Sequence, residues 1–369
     1  MVLLMITTSR TFLAQAMLLV LLPASLALAS APAAAQSSNS STGSGQESAA
    51  GSVKGVPAKD SGSKEPAADQ SSSTSPTRSD DTKDAVGDFG SIDRTLRAQV
   101  LLERAHFSPG VIDGQVGGNT RRALSAYQSA RGLPVTGEAD ERTIESLGGF
   151  DAPVLTRQSL SADDVAGPFK ETPEGPAAMA KLDSLPYASV EEKVAEQFHV
   201  TPEWLRERNP DVELVAGATL TVPKLDGASD LPRPARVIVD ESDKSLLLED
   251  DSGKVVAHFP VTTGSAQFPL PIGEWKVTGV ATNPVWYFDP KLIAGSAPDA
   301  QKAEIPPGPN NPVGVVWIDL SKEHYGIHGT PDPARIGKTA SNGCVRMTNW
   351  SAMALSKVVG PGTPVTMRK

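Results

Sequence analysis

Apolar and polar side chains alternate through the C-terminal third of the chain. The alternation runs through Val237 and Val239, resumes at Leu246 and Leu248, and is typical of half-buried strands. The Asp-Asp-Ser-Gly sequence at 250–253 predicts a hairpin turn. Further strands are expected at 273–280, 315–319, 326–328 and 364–367, with a short helix at 350–357. We therefore predict a mainly β domain over residues 233–369.

A helical period replaces this alternation nearer the N-terminus. Leu96, Val100 and Leu101 recur at helical spacing. Two further helices are expected to begin near Asn119 and Asp140, because both residue types cap helix N-termini well. The sequence thus predicts a small three-helix domain at 89–150.

A second apolar stripe at helical spacing begins another unit, at 185–225. Thr201-Pro202 predicts the start of its second helix. Proline has no N–H, and the N–H groups of a first helical turn form no hydrogen bond within the helix. Asn209-Pro210 predicts the end of that helix, and a strand is expected at 220–223. This unit is predicted to be a small α+β module. The Pro- and Ala-rich segment before it, 151–184, is predicted to be a linker.

The first 35 residues differ in character from the rest of the chain. Arg10 is the only charge before an apolar run at 12–22, and small residues lead to Gln36. This pattern is typical of a secretory signal peptide, and an uncleaved N-terminal anchor is the alternative. Residues 36–88 are mostly Ser, Gly, Ala, Lys, Asp and Pro, which predicts a disordered tether. We expect an exported protein of the periplasm or cell wall that meets the membrane only through its signal sequence during export.

Charge and cysteine content narrow the function. The net charge of −9 argues against nucleic acid as a partner, because that binding depends on phosphate neutralisation by Lys and Arg. It does not exclude partners that carry ammonium groups. Cys344 is the only cysteine, so no internal disulfide can form. In an exported protein it is either a dimer link or a free reactive thiol.

Two glycine-flanked segments contain the candidate chemistry, Gly-Ile-His-Gly-Thr at 326–330 and Ala-Ser-Asn-Gly-Cys-Val-Arg-Met at 340–347. A cysteine attacks as the thiolate, and an imidazole such as His328 can accept its proton. The backbone N–H groups of Gly343 and Cys344 could stabilise an oxyanion, and a backbone carbonyl could fix the imidazole tautomer. An inert, buried cysteine is the alternative interpretation of this pattern.

The Ser-x-Gly-Cys-x-Arg sequence at 341–346, preceded by His-Gly at 328–329, resembles the catalytic motif of the YkuD-type L,D-transpeptidases. The resemblance extends through 237–240, 259–264 and 271–275. It implies a β-sandwich-like catalytic domain, with Cys344 as nucleophile and His328 as general base. It also implies that the Gly329 carbonyl orients His328 and that Arg346 shapes the donor site.

One position departs from the family pattern. Many members have a histidine before the Gly-Cys pair, and Asn342 stands there in this chain. The base is therefore expected to be His328, with Asn342 and Ser341 in contact with substrate. His324 and Tyr325 are expected to line the site, because His324 would share a strand face with His328. The remaining histidines, His106, His199 and His258, are expected to be structural.

The accessory units also resemble known modules. Residues 89–150 resemble a peptidoglycan-binding domain, chiefly in Asp113-Gly114, Thr120, Tyr127-Gln128 and Val135-Thr136-Gly137. Residues 185–225 resemble a LysM module, a glycan-binding fold, although Ser189-Val190-Glu191 replaces the usual Gly-Asp-Thr. A spacer role is the alternative for this module. The expected fold is therefore multidomain, with a three-helix domain and a LysM-like module before the β-rich catalytic domain.

The resemblance implies an enzyme that transfers an acyl group from a peptidoglycan stem peptide to an amine through a thioester on Cys344. The acceptor would be another stem or a protein attached to the wall, and a carbapenem should acylate the same thiol. The alternatives are a carboxypeptidase or crosslink hydrolase using that cysteine, and a wall-binding protein without activity. No cofactor is expected, and the absence of His-Glu-x-x-His and Cys-x-x-Cys spacings predicts no metal.

Overall fold

The computed structural model describes residues 92–293 and 295–369. The predicted signal peptide at 1–35 and tether at 36–88 lie outside the described residues. Among the residues that are described, none of the helices has the length and apolar character that a membrane crossing requires.

The N-terminal part of the described chain is the predicted three-helix domain, with α1 (Arg94–Arg104), α2 (Gly118–Ala130) and α3 (Glu141–Leu147). Asp140 caps α3 as expected, because its side chain accepts the Thr143 N–H at 2.9 Å. The second helix does begin near Asn119, but the prediction that Asn119 caps it was wrong. Helix α2 begins one residue earlier, and Asn119 instead donates from Nδ2 to the Ile336 carbonyl at 2.9 Å. That contact joins two distant parts of the chain, which local sequence cannot indicate.

The next part of the chain is a module in which two strands flank helices. Its elements are β1 (Leu155–Ser159), α4 (Pro176–Met179), α5 (Val190–Gln197), α6 (Pro202–Arg208) and β2 (Thr219–Pro223). Helix α6 begins at Pro202, as predicted, and Thr201 caps it by accepting the Trp204 N–H at 3.1 Å. The segment 151–184 is more than a linker, because β1 lies in it and pairs antiparallel with β2. Its partner strand is distant in sequence, which is why local composition concealed it.

The C-terminal part is mainly β, as predicted. It contains β3 (Arg236–Asp240), β4 (Ser245–Glu249), β5 (Val255–Pro260), β6 (Gly273–Thr282), β7 (Trp286–Phe288), β8 (Ala303–Ile305), β9 (Val316–Leu320), β10 (Gly326–His328), β11 (Val345–Arg346), α7 (Asn349–Ser356) and β12 (Pro364–Arg368). Eight strands form one sheet in the order β11-β10-β9-β6-β12-β3-β4-β5, and β7 pairs with β8 separately. The sheet curls around a core of aliphatic residues that includes Val237, Leu246, Val316 and Leu355.

The three parts pack against one another. Leu96 of α1 belongs to the same buried cluster as Leu155 of β1 and Val194 of α5. Phe107 forms a bridge with His258 of β5, where the helical domain meets the sheet. The His199 ring, which follows α5, stacks on Trp350 of α7 with ring centroids 4.7 Å apart. Both accessory units therefore contact the β domain directly.

Candidate active site

Strand alternation places the predicted catalytic side chains together. Strands β10 and β11 are parallel, with Ile327 opposite Val345 and His328 opposite Arg346. Successive side chains of a strand point to opposite faces. Ile327 and Val345 enter the apolar core, so His328, Arg346 and the residue two before Arg346, Cys344, lie on the other face.

That other face forms the floor of a cavity of about 760 Å³. The cavity is lined by every predicted site residue that has a side chain: Cys344, His328, Arg346, Ser341, Asn342, His324 and Tyr325. The two predicted glycines, Gly329 and Gly343, are chain neighbours of lining residues and do not line the cavity themselves. The remaining wall is largely aromatic and apolar, with Phe268, Trp286, Tyr287 and Trp317. Such a mixture of apolar walls and a few polar groups is typical of ligand sites.

The His328 ring is fixed in one tautomer. Its Nδ1 lies 2.7 Å from the Gly329 carbonyl, as expected for that residue. A carbonyl only accepts, so Nδ1 must carry the hydrogen and Nε2 is left with its lone pair. The ring is 4% exposed and stacks on Trp317, with centroids 5.4 Å apart. Burial, and then the positive charge of Arg346, lower the pKa of His328 to about 3, so the resting imidazole is neutral.

The Cys344 thiol is half-buried and protonated at rest. Burial raises its pKa, while the Gly326 N–H and the charge of Arg346 oppose that rise. Its Sγ lies 3.8 Å from the His324 carbonyl, which accepts the S–H. A protonated thiol is a poor nucleophile, so this cysteine depends on a neighbouring base.

The turn before Cys344 is closed by Ser341. The Ser341 hydroxyl donates to the Cys344 carbonyl at 2.6 Å and accepts the Gly343 N–H at 3.1 Å. Gly343 has a φ of +103°, and a Cβ there would come within 2.7 Å of Tyr325 Cε1. The expectation that Gly343 donates to an oxyanion does not fit this geometry, because its N–H is already engaged within the turn.

Arg346 lines the same cavity as Cys344. Its backbone N–H donates to the Thr262 carbonyl at 2.9 Å, and its carbonyl accepts the Thr262 N–H at 3.0 Å. Burial lowers the pKa of its guanidinium, and the charge interaction with Cys344 opposes that lowering. Within the described part of the chain, its buried Nε has no hydrogen-bond partner. A buried donor without a partner costs free energy.

His324 and Tyr325 do border the cavity, but the reason given for His324 was wrong. Strand β10 begins only at Gly326, so His324 does not share a strand face with His328. It lies instead in a turn, with a φ of +67°. Residues other than glycine are uncommon in the left-handed region, and no local pattern in the sequence indicates this turn.

Two supporting residues were missed. Asn349, at the start of α7, accepts through Oδ1 from the Thr330 N–H at 3.1 Å and from the Val315 N–H at 3.2 Å. It holds the backbone beside Gly329, where a Cβ would come within 2.2 Å of its Oδ1. Trp317 covers His328 from the neighbouring strand β9. An asparagine near a helix start suggests a local cap, so only the tertiary structure identifies its contacts.

No cluster of three or more His, Cys, Asp or Glu residues in the described ranges is arranged to hold a metal ion. The cavity presents a thiol, a neutral imidazole and a buried guanidinium. These groups suit acyl transfer at a carbonyl carbon.

Comparison with known proteins agrees with this geometry. Residues 234–367 match the L,D-transpeptidase catalytic domain (YkuD), and residues 93–147 match a putative peptidoglycan binding domain. The fold and site therefore define a cell-wall enzyme with a transpeptidase domain and a peptidoglycan-binding domain. The chain belongs to the L,D-transpeptidase family. The LysM-like character of residues 185–225 stays a prediction.

Individual relatives are similar over the C-terminal part. The putative L,D-transpeptidase YqjB of Bacillus subtilis is 35% identical over 144 residues, which is 38% of this chain and 74% of that protein. The putative L,D-transpeptidase YkuD of Bacillus subtilis is 29% identical over 178 residues, or 48% of this chain and 92% of that protein. Among solved structures, an L,D-transpeptidase from Mycobacterium smegmatis aligns over 43% of this chain and 76% of its own, with 16% identity and a TM-score of 0.30.

Proposed function

We propose that this enzyme crosslinks peptidoglycan through a thioester on Cys344. The observation that carries the proposal is the His328 ring, which is tied through Nδ1 to the Gly329 carbonyl and lines the same cavity as Cys344. In the first half-reaction Cys344 attacks the carbonyl of the L-centre of a stem-peptide diamino acid. The bond to the terminal D-residue breaks, and that residue leaves as the free amino acid.

The proton moves through His328. Its Nε2 accepts the Cys344 proton as the sulfur attacks, and the imidazolium then protonates the leaving amine. Although burial disfavours a charged imidazole, the negative charge that develops on the sulfur and then on the substrate oxygen offsets this cost. In the second half-reaction an amine attacks the thioester carbonyl, loses its proton to Nε2 and displaces Cys344, which regains a proton.

The tetrahedral oxyanion needs donors other than the Gly343 N–H, which Ser341 occupies. The Cys344 N–H is the next donor along the backbone, and Asn342 lines the same cavity. The guanidinium of Arg346, a residue that lines the cavity, suits a carbonyl or carboxylate oxygen of the donor stem. These roles for Asn342, Cys344 and Arg346 complete the proposed site.

Transfer is favoured over hydrolysis by the walls of the cavity. Trp286, Tyr287, Trp317 and Phe268 present apolar surface near the nucleophile, and a site that excludes water protects a thioester. We expect the acceptor to be an amine of a second stem or of a wall-attached protein. The same proposal includes export, which the N-terminal sequence implies, and binding of the accessory units to the cell wall.

Purified protein and a tetrapeptide stem would test this function. Wild-type chain should release the terminal D-residue and form a crosslinked dimer, and Cys344→Ala should do neither. Release of that residue with free tripeptide alone would support the hydrolase instead. A Cys344→Ala protein as active as wild type, or a wild-type protein that neither processes the stem nor is acylated by a carbapenem, would contradict the proposal.

A further inference from the structure

A buried carboxylate of the accessory module reaches into the catalytic domain. Glu196, on α5, accepts from Asn349 Nδ2 at 3.1 Å through Oε2 and from the Tyr187 hydroxyl at 2.8 Å through Oε1. Helix α5 lies in the module of residues 155–223, whereas Asn349 begins α7 of the β domain. The contact therefore joins two units that fold from separate parts of the chain.

Asn349 is held on both sides of its amide group. Its Nδ2 donates to Glu196 and, at 3.2 Å, to the Pro309 carbonyl. Its Oδ1 accepts from the Thr330 N–H at 3.1 Å. An amide can be rotated to exchange its oxygen and nitrogen. Glu196 and the Pro309 carbonyl accept on one side of Asn349, and the Thr330 and Val315 N–H groups donate on the other. Glu196 is therefore the side-chain contribution to the orientation in which Oδ1 faces Thr330.

The Thr330 N–H belongs to the same peptide group as the Gly329 carbonyl. That carbonyl accepts from His328 Nδ1 at 2.7 Å. A peptide group is planar and rigid, so fixing its N–H also fixes its C=O. The hydrogen bonds thus run without a gap from Glu196 to Asn349, through one peptide plane, to the ring of His328.

A buried carboxylate is a costly way to hold two units together. Burial raises the pKa of Glu196, and the hydrogen bonds from Tyr187 and Asn349 oppose that rise. None of the described lysines or arginines forms a salt bridge with it. An apolar pair would join the surfaces at lower cost, which suggests that this acceptor is retained for the orientation it imposes.

We propose that Glu196 of the accessory module is a positioning residue for His328, so that docking of this module sets the competence of the active site. The inference rests on the proposed function, because it assumes that His328 activates Cys344. The peptide plane of Gly329 and Thr330 transmits the effect. Glu196 itself does not line the cavity that holds the thiol.

The test compares Glu196→Ala and Glu196→Gln with Val194→Ala, in the full chain. Val194 is fully buried on the same helix but packs in the core shared with α1, away from Asn349. Two rates are measured well below the melting temperature of every variant. One is alkylation of Cys344 by iodoacetamide, and the other is turnover of a tetrapeptide stem with kcat and KM separated.

Glu196→Ala should lower kcat roughly 10-fold with little change in KM, and should slow alkylation, because the loss of one charge-assisted hydrogen bond is of that order. Glu196→Gln should recover most of the loss, since its Oε1 can still accept from Asn349. Val194→Ala should lower the melting temperature and leave both rates within about twofold.

Equal rates in Glu196→Ala and Val194→Ala would overturn the inference, as would a glutamine variant no better than the alanine one. If Glu196→Ala does not fold, Glu196→Asp takes its place, because its shorter side chain withdraws the acceptor from Asn349. Rates below those of Glu196→Gln and Val194→Ala then support positioning, and rates equal to theirs contradict it. Failure of the proposed function has a different signature, which is stem turnover that persists in Cys344→Ala.

Discussion

Two buried histidines in different regions of the molecule invite comparison. His258 lies in β5 where the helical domain covers the sheet, and His328 lies in β10 at the cavity. Both are almost completely buried. Burial lowers the pKa of His258 to about 4 and that of His328 to about 3, so both rings are neutral at pH 7. Each Nδ1 faces a backbone carbonyl, that of Ser108 or that of Gly329.

The difference lies in what surrounds the other ring nitrogen. His328 borders a cavity that also holds the Cys344 thiol. His258 is enclosed by the interface, and its buried Nε2 has no hydrogen-bond partner among the described residues. A depressed pKa therefore marks burial in both regions, and only the neighbouring nucleophile and open space mark a catalytic group.

Replacing each histidine in turn should show most clearly which of the two takes part in catalysis. His328→Gln should lower stem turnover roughly 10²–10⁴-fold, because general-base catalysis is worth about that much. His258→Asn keeps a donor for the Ser108 carbonyl and should leave turnover within about twofold at 25 °C. Initial rates on a tetrapeptide stem measure both. Equal losses in the two variants would mean that His328 acts only through stability.

The second prediction concerns stability against pH. Between pH 6.5, the ordinary histidine pKa, and about 4, the unfolded chain binds a proton at His258 that the folded chain does not. Stability should therefore rise with pH across this window and be lost as pH falls through it. The shift corresponds to at most roughly 3 kcal/mol. Urea unfolding at several pH values measures this dependence. In His258→Asn the free energy of unfolding should change less steeply with pH than in the wild-type chain.

His328 contributes in the same direction, with a folded pKa of about 3, so some slope should remain in His258→Asn. An unchanged slope in that variant would show that His258 is not buried neutral. A slope of opposite sign in the wild-type chain would contradict the burial of both rings.

The smallest expected effect concerns the turn at 341–344, which holds Cys344. Ser341→Ala removes the hydroxyl that bonds the Gly343 N–H and the Cys344 carbonyl. We expect acylation of Cys344 to slow roughly 10-fold, since each such hydrogen bond contributes about 1 kcal/mol. The acylation rate with a carbapenem measures it. The pH dependence of the unfolding free energy attributed to His258 should not change in Ser341→Ala. A change in it would indicate that the substitution destabilises the whole fold.

The sequence predicted the features whose signals are local. Alternation located the strands around Val237 and Leu246, and the motifs at 326–330 and 341–346 located residues that line one cavity. It could not reveal that β1 pairs with β2, since strand pairing across 60 or so residues leaves no periodic signal. It also misplaced Asn119 as a cap and Gly343 as an oxyanion donor, because each makes a contact that depends on folded geometry.

Catalytic support was the least predictable part of the site. Trp317, Asn349 and Glu196 come from a strand, a helix start and an accessory helix, and they meet only in the folded chain. From the sequence alone, an ordinary packing role accounts for each of these residue types as well as a role in the site does.

The central claim, that Cys344 forms the acyl-enzyme, is tested most directly by the intact mass of the protein after brief exposure to a tetrapeptide stem without an amine acceptor. We predict a mass increase equal to the stem less its terminal D-residue and one water, mapped to the peptide that contains Cys344 and absent in Cys344→Ala. An adduct that persists in Cys344→Ala, or turnover of the stem with no adduct on Cys344 at any time point, would contradict the account.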